Sequence, residues 1–205
     1  MLVYRWADGV YVKAGLEDSK AARLVLIGAE AAGTKHMLAV SSGARESTPR
    51  WTAVLRDLKA RGLSAPKLTI ADGHLGTWGA IATIYPTSAE QRCWNHKLRN
   101  VLDAVSKKRQ AEVKTQLQAI ANAETLCAAT TLRDTFARTY RRVFPKAVAC
   151  LERDGERLVA YYAFPQEHWT QLRTTNVSEF PFAAVRLRTS AAKRFTKVDN
   201  ATPLI

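Results

Sequence analysis

Hydrophobic and polar residues follow two different patterns along this chain, and the change between them divides it into two regions. Short apolar runs rich in Val, Leu, Ile and Tyr occupy residues 3–12, 21–29 and 35–41, separated by the turn-like segments DSK and EAAGT. Runs of this length between turn residues are typical of β-strands. Because the connections are short, we expect the three strands to form an antiparallel meander.

The next segment has the pattern of an amphipathic helix. Thr48 can cap its start, Pro49 suits its first position and Gly62 ends it. Apolar residues then recur at helical spacing. They predict a buried stripe of Trp51, Val54, Leu55 and Leu58.

A further strand and helix complete this region. The apolar run at 67–71 predicts a buried strand that breaks at Asp72, and a helix from Leu75 to Tyr85 is stopped by Pro86. Its predicted inward side consists of Leu75, Trp78, Ile81 and Tyr85. The order β-β-β-α-β-α, with a possible fifth strand near 89–94, predicts an α/β fold: a mixed sheet with helices on its faces.

From about residue 98 onward the hydrophobic period becomes helical. The predicted buried positions are Leu98, Val101, Leu102, Val105, Val113, Leu117, Ile120, Leu132, Phe136, Tyr140 and Val143. We therefore expect three parts: the first part of the α/β core at 1–97, an α-helical insertion at 98–168, and a C-terminal helical segment at 169–205 that completes the core.

Composition and charge narrow the function classes. Hydrophobic residues make up 47% and charged residues 24%, which is typical of a globular protein. Lys and Arg number 31 against 18 Asp and Glu, a net charge of +13 that both halves share, which favours a polyanionic partner such as nucleic acid. A generally basic protein is the alternative. There is no signal peptide or membrane-length apolar run, and the three widely spaced cysteines favour a reduced protein without disulfides.

Three acidic residues are candidates for chemistry. Asp8 and Asp72 each interrupt or end an apolar strand and precede glycine. If the first and fourth strands are neighbours, the two carboxylates meet at one point, where a divalent cation would relieve their repulsion. Asp-Gly is also a turn signal, and Asp72 could cap the following helix. Glu179 follows Asn176 in the pattern of a capping box, although Pro181 weakens that interpretation.

Other polar groups are less specific. Cys93 and His96 have ligand-like spacing, but a structural zinc site needs four ligands, and a local hydrogen-bonding role fits better. Basic side chains cluster on one predicted helix face at Arg138, Arg141 and Arg142, and again directly after Glu179. Such runs are either solvated faces or phosphate contacts. No P-loop, dinucleotide-binding, serine-hydrolase or zincin motif is present.

Five longer stretches, taken together, carry a family resemblance. They are WADGVYVKAGLED, LRDLKARGL, ADGHLG, QRCWNHKLRNVLD and RTTNVSEFPFAAVRLRTSAAKRF. In this order they closely resemble the Mutator-type transposases of bacterial insertion sequences, over nearly the whole chain. The resemblance implies a ribonuclease-H-like catalytic domain interrupted by an α-helical insertion, with an Asp-Asp-Glu metal site.

By position, Asp8, Asp72 and Glu179 match the family's catalytic and metal-binding acids, and the intervals between them fit the family. The resemblance implies two Mg²⁺ ions, for which Mn²⁺ can substitute, with Asp8 bridging both ions. It also suggests that Cys93, His96 and His74 support the site. DNA contacts are expected from Arg173, Arg186, Arg188, Lys193 and Arg194.

The implied reaction nicks double-stranded DNA at the element's ends and joins the freed 3′-hydroxyl to target DNA. The implied partners are DNA and further copies of the same chain, with no membrane, in the bacterial cytoplasm at the nucleoid. Family members continue beyond both ends of this chain, which we therefore expect to be truncated. Two alternatives stay open: a non-catalytic DNA-binding remnant that modulates full-length transposase, and a nuclease acting on RNA–DNA hybrids.

Overall fold

A computed structural model describes residues 1–13, 20–43 and 46–177, with the side chains of 10–13, 20–22 and 42–43 left out of the description. The described residues contain one mixed sheet and seven α-helices. The strands are β1 (Leu2–Lys13), β2 (Lys20–Glu30), β3 (Lys35–Gly43), β4 (Leu68–Ala71) and β5 (Ala89–Arg92). This confirms the predicted α/β class.

The sheet has the strand order β3-β2-β1-β4-β5. β1 pairs antiparallel with β2, and β2 with β3, so the predicted meander is confirmed. β4 returns parallel to β1, with Tyr4 opposite Leu68 and Ala7 opposite Ala71. The crossover through a helix makes this parallel pairing possible, and it places β1 in the centre of the sheet.

Helices α1 (Thr48–Ala60) and α2 (Leu75–Ile84) pack on one face of this sheet. The shared core is apolar and closely packed. It includes Ala7, Leu24, Leu26, Trp51, Leu55, Leu58, Ala71, Trp78, Ala80 and Ile81. The stripes predicted from helical spacing therefore account for most of this core.

Two details of these helices differ from the prediction. α1 has Ser47, not Thr48, at its N-cap. Leu75 is 86% exposed rather than inward. The residue that faces α1 is Gly76, where a β-carbon would lie only 2.7 Å from the Thr48 backbone nitrogen. The first turn of α2 thus approaches α1 through a glycine, and the larger side chain before it points to solvent.

The chain divides into two compact units. The first comprises residues 1–89 and the chain from Thr175 onward, and the second comprises 90–174. The second unit contains α3 (Trp94–Leu102), α4 (Gln110–Ala121), α5 (Leu126–Tyr140), α6 (Pro145–Arg153) and α7 (Trp169–Leu172), joined by short turns and 3₁₀ segments. These limits differ from the predicted 98–168, because α3 begins immediately after β5 and the chain up to Thr174 belongs to the helical unit.

The interior of the second unit confirms the helical period with two exceptions. Val113, Leu117 and Ile120 of α4 are buried, as predicted. Leu132 and Val143 are 39% and 59% exposed. Val143 follows the end of α5, and the buried line of α5 runs through Ala129, Phe136, Ala137 and Tyr140. No helix among the described residues is long and apolar enough to cross a membrane.

Candidate active site

Asp8 and Asp72 lie next to each other in sequence register on paired strands. β1 and β4 run parallel, and the last matched pair is Ala7 with Ala71, the residues that directly precede the two aspartates. Asp8 is 4% exposed, whereas Asp72 is half-buried at the end of its strand. Parallel strands deliver both acids to the same edge of the sheet. The juxtaposition predicted from the sequence is therefore confirmed for this pair.

The turn after β4 holds Asp72 in a defined position. The backbone N–H of His74 donates to Asp72 Oδ1 at 3.0 Å, and Gly73 adopts a φ of 89° that suits glycine. The N-cap of α2 is His74, whose Nδ1 accepts from the Gly76 N–H at 3.2 Å. Asp72 thus fixes the turn rather than capping the helix, and this bond uses only one of its two oxygens.

A third carboxylate, Glu46, lies at the same place and was missed by the sequence reasoning. It precedes α1, is 8% exposed, and has an Oε2 atom with no hydrogen-bond partner. Its other oxygen rests against Gly9, where a β-carbon would lie 1.5 Å from Oε1. Any side chain at position 9 would therefore displace Glu46 from the strand that carries Asp8.

The electrostatics link these acids into one group. Burial raises the pKa of Glu46, and the negative charges of Asp72 and, more weakly, Asp8 raise it further. The nearby His74 and the indole of Trp51 act in the opposite direction. His74 Nδ1 is 4.0 Å from Glu46 Oε2. Three carboxylates therefore repel one another across this edge of the sheet.

The donor set suits a hard divalent cation. Carboxylate oxygens are the ligands that Mg²⁺ and Mn²⁺ prefer, and a cation relieves the repulsion among Glu46, Asp72 and Asp8. A buried carboxylate oxygen without a partner is the kind of atom that such an ion would satisfy. Within the described residues, no group of three or more His, Cys, Asp or Glu side chains is yet arranged to hold a metal. The predicted third ligand, Glu179, lies outside the described residues.

The predicted DNA-contacting residues are described only in part. Arg186, Arg188, Lys193 and Arg194 lie outside the described residues. Arg173 belongs to the second unit, where its guanidinium donates to the Ala121 carbonyl at 2.7 Å and lies 5.8 Å from the Tyr161 ring centroid. These contacts give it a structural role in that unit, and its DNA contact stays a prediction.

The predicted site-supporting residues fall into both units. His74 lies beside Glu46 and Asp72 in the first unit. Cys93 is buried at the N-cap of α3, and His96 lies in that helix, so both belong to the second unit. Support of the acidic group by Cys93 and His96 stays a prediction.

Glu46 gave only a weak signal in the sequence. An acidic residue just before a helix start is common, because it complements the helix dipole and is usually solvated. Its burial depends on Gly9, which is 37 positions away in the sequence and reads as part of an Asp-Gly turn. A glycine inside a strand indicates a close approach by another part of the chain, and this was the signal available.

Comparison with known proteins identifies the family. Residues 3–205 match the family described as "Transposase, Mutator family". The chain belongs to the Mutator family of transposases. It is 42% identical over 191 residues to the transposase for insertion sequence element IS6120 of Mycolicibacterium smegmatis, covering 93% of this chain and 59% of that protein.

A second relative of this Mutator-family member gives the same result. The transposase for insertion sequence element IST2 of Acidithiobacillus ferrooxidans is 47% identical over 178 residues, which cover 86% of this chain and 60% of the relative. The resemblance found in the sequence stretches is thereby confirmed. The chain spans about 60% of the length of these curated relatives.

Proposed function

We propose that this chain is the catalytic part of an insertion-sequence transposase, which cuts and joins DNA strands at a centre formed by Asp8, Asp72 and Glu179. The observation that carries the proposal is the parallel pairing of β1 with β4, which brings two acids of the predicted triad to adjacent strand ends. Membership of the Mutator family supplies the reaction class. The two findings are independent, because the pairing register contains no information about relatives.

The sheet supports a ribonuclease-H-like core. Three antiparallel strands lead through α1 to a fourth strand parallel to the first, and β5 follows α2. The first strand is central and carries Asp8, while the fourth carries Asp72 directly after its last residue. A helical unit then interrupts the chain before Glu179, as the family resemblance implies.

In this proposal Asp8 binds two Mg²⁺ ions, and Asp72 and Glu179 each help to hold one. When bound, these ions activate the attacking oxygen and stabilise the leaving oxygen in a phosphoryl transfer, and Mn²⁺ is expected to substitute. The chain's own contribution is preorganisation. Burial fixes Asp8 within β1, and the His74 N–H fixes one oxygen of Asp72 so that the other faces away from the turn.

The proposed substrate is double-stranded DNA. A net charge of +13 favours a polyanion, and four basic residues follow Glu179 closely in the sequence: Arg186, Arg188, Lys193 and Arg194. Backbone phosphate contacts of this kind position DNA without reading its sequence. Assembly of several copies on DNA is part of the proposal, on the family resemblance alone.

The test is a plasmid-nicking and strand-joining assay with Mg²⁺ or Mn²⁺. Asp8→Asn and Asp72→Asn are each expected to lower the rate by about 10²- to 10³-fold, because the stabilisation that a bound metal supplies is worth several kcal/mol. Asp57→Asn is the matched control, since Asp57 is an exposed α1 residue paired with Arg61. Equal rates in Asp8→Asn and the parent would remove the proposal. DNA binding without cleavage under any metal would favour the non-catalytic alternative.

A further inference from the structure

Glu46 is a buried acid with no assigned role in a three-acid centre. Only 8% of the residue is exposed, and its Oε2 atom has no hydrogen-bond partner. Burying an ionised carboxylate without compensation is costly, so buried acids are normally paired, hydrogen-bonded or bound to a cation. The position of Glu46 therefore calls for a partner.

The chain is shaped to hold Glu46 at this place. Its Oε1 occupies the space that a side chain at position 9 would fill, and position 9 directly follows Asp8. The absence of a β-carbon at Gly9 lets the carboxylate lie against the central strand. Glu46 is thus seated in a cradle beside the first acid of the proposed centre.

The neighbours of Glu46 do not neutralise it. His74 Nδ1 lies 4.0 Å from Oε2 but accepts a hydrogen bond from the Gly76 N–H, so in the neutral ring it carries no proton to donate. In the part of the chain that is described, no Lys or Arg forms an ion pair with Glu46. Asp72 and Asp8 add negative charge to its surroundings. The environment lacks a cation.

We infer that Glu46 binds the divalent cation of this centre together with Asp8 and Asp72, so that the centre has four acidic residues rather than three. This inference rests on the proposed function, because it assumes a metal at the two aspartates. A cation here would satisfy Oε2 and offset the repulsion among the carboxylates. It also explains why β1 has a glycine immediately after Asp8.

A purely structural role is the competing explanation. Glu46 lies at the start of α1, and the first turn of α2 is close by, since a β-carbon on Gly76 would lie 2.7 Å from Thr48 N. Helix N-termini favour negative charge. This explanation predicts that neutralising Glu46 destabilises the metal-free protein and leaves its metal affinity unchanged. Our inference predicts the reverse.

The experiment measures Mn²⁺ binding to the full chain by electron paramagnetic resonance of the free ion, alongside metal-free thermal unfolding. In Glu46→Gln the Mn²⁺ dissociation constant is expected to rise about tenfold or more, the effect typical of losing a supporting carboxylate. The metal-free melting temperature is expected to be equal to or above that of the parent. Glu30→Gln is the matched control, since Glu30 is exposed and pairs with Leu2 at the opposite end of the β1–β2 ladder.

Asp8→Asn separates the two ideas. Weaker Mn²⁺ binding in Asp8→Asn with parental binding in Glu46→Gln would overturn the inference and leave the proposed centre standing. Parental binding in both variants would overturn both. If Glu46→Gln does not fold, Glu46→Asp keeps the charge but draws it back by one methylene, and it is expected to weaken Mn²⁺ binding in a folded protein. Parental affinity in that variant would also overturn the inference.

Discussion

At the scale of single residues, burial and charge together decide which polar side chains build the fold. Arg5 lies fully buried in β1, donates to Thr69 Oγ1 at 3.0 Å and sits 4.6 Å from the Tyr85 ring centroid. Burial lowers its pKa to about 10. Thr69 in turn shares a hydrogen bond with Ser88. This network ties β1 to β4 three residues before Asp8, and its role is structural.

Glu112 on α4 is a residue whose charge contributes to stability in a pH-dependent way. It accepts hydrogen bonds from Arg109 and from the Tyr140 hydroxyl, which lower its pKa to about 2. A carboxyl pKa lower in the folded state than in the unfolded state stabilises the protein above the unfolded value of about 4.5, and this contribution is lost as the pH falls towards 2. The effect is modest because the pair is solvent-exposed.

We therefore expect Glu112→Gln to flatten the loss of stability between about pH 4.5 and pH 2. Urea unfolding across this pH range measures the change, with the exposed Glu124→Gln as control. An unchanged pH dependence in Glu112→Gln would show that the Arg109 and Tyr140 contacts do not persist in solution.

At the scale of elements, the candidate site depends on how closely two helix starts approach each other. α1 and α2 pack on the same face of the sheet, and their first turns meet where Gly76 lies against the backbone of Thr48. Glu46 precedes one helix and His74 caps the other. The close approach therefore brings the residues around the proposed centre together, and it depends on the absence of a side chain at position 76.

Two glycines of α2 provide a matched test of this packing. In Gly76→Ala the β-carbon would lie 2.7 Å from a backbone atom, and we expect a loss of about 1–3 kcal/mol in the free energy of unfolding. In Gly79→Ala the nearest contact would be Thr48 Cγ2 at an ordinary 3.5 Å, so the better helix propensity of alanine is expected to add up to about 1 kcal/mol.

Urea denaturation of both variants measures these changes, provided that the slope of the transition matches that of the parent. A stabilising Gly76→Ala would mean that α1 and α2 separate enough in solution to admit a methyl group. In that case the environment of Glu46 would also be more open than described here.

At the scale of the whole molecule, the excess of positive charge determines how the protein meets DNA. The net charge of +13 is distributed over both halves of the sequence rather than confined to a tail. Cations that contact phosphates release condensed counterions, so binding weakens as salt rises. The acidic group at the end of β1 and β4 is the local exception to this positive charge.

We expect duplex DNA binding to fall by about 10³-fold or more between 50 and 200 mM salt, if six or more phosphates are contacted. Fluorescence anisotropy with a labelled duplex measures it, and Asp8→Asn is the control because it should bind at least as tightly while failing to cleave. Salt-independent affinity would contradict a phosphate-dominated interface.

The sequence predicted secondary structure well where one face of an element is buried. The stripe of Trp51, Leu55 and Leu58 and the apolar runs of β1 to β4 follow directly from periodicity. It failed at element ends: Leu75 and Val143 are apolar but exposed, since they lie at or beyond helix termini where the period no longer fixes direction. The limits of the helical region were likewise displaced by a few residues.

The sequence by itself determined the family, the strand and helix order, and the two aspartates as a pair, because periodicity and local motifs contain that information. Only the tertiary structure decided which further acid joins them. Glu46 becomes buried through the packing of α1 against Gly9, a contact between positions far apart in the chain. Desolvation and mutual repulsion act through space, so residues that are unremarkable in sequence acquire their chemistry only when the fold brings them together.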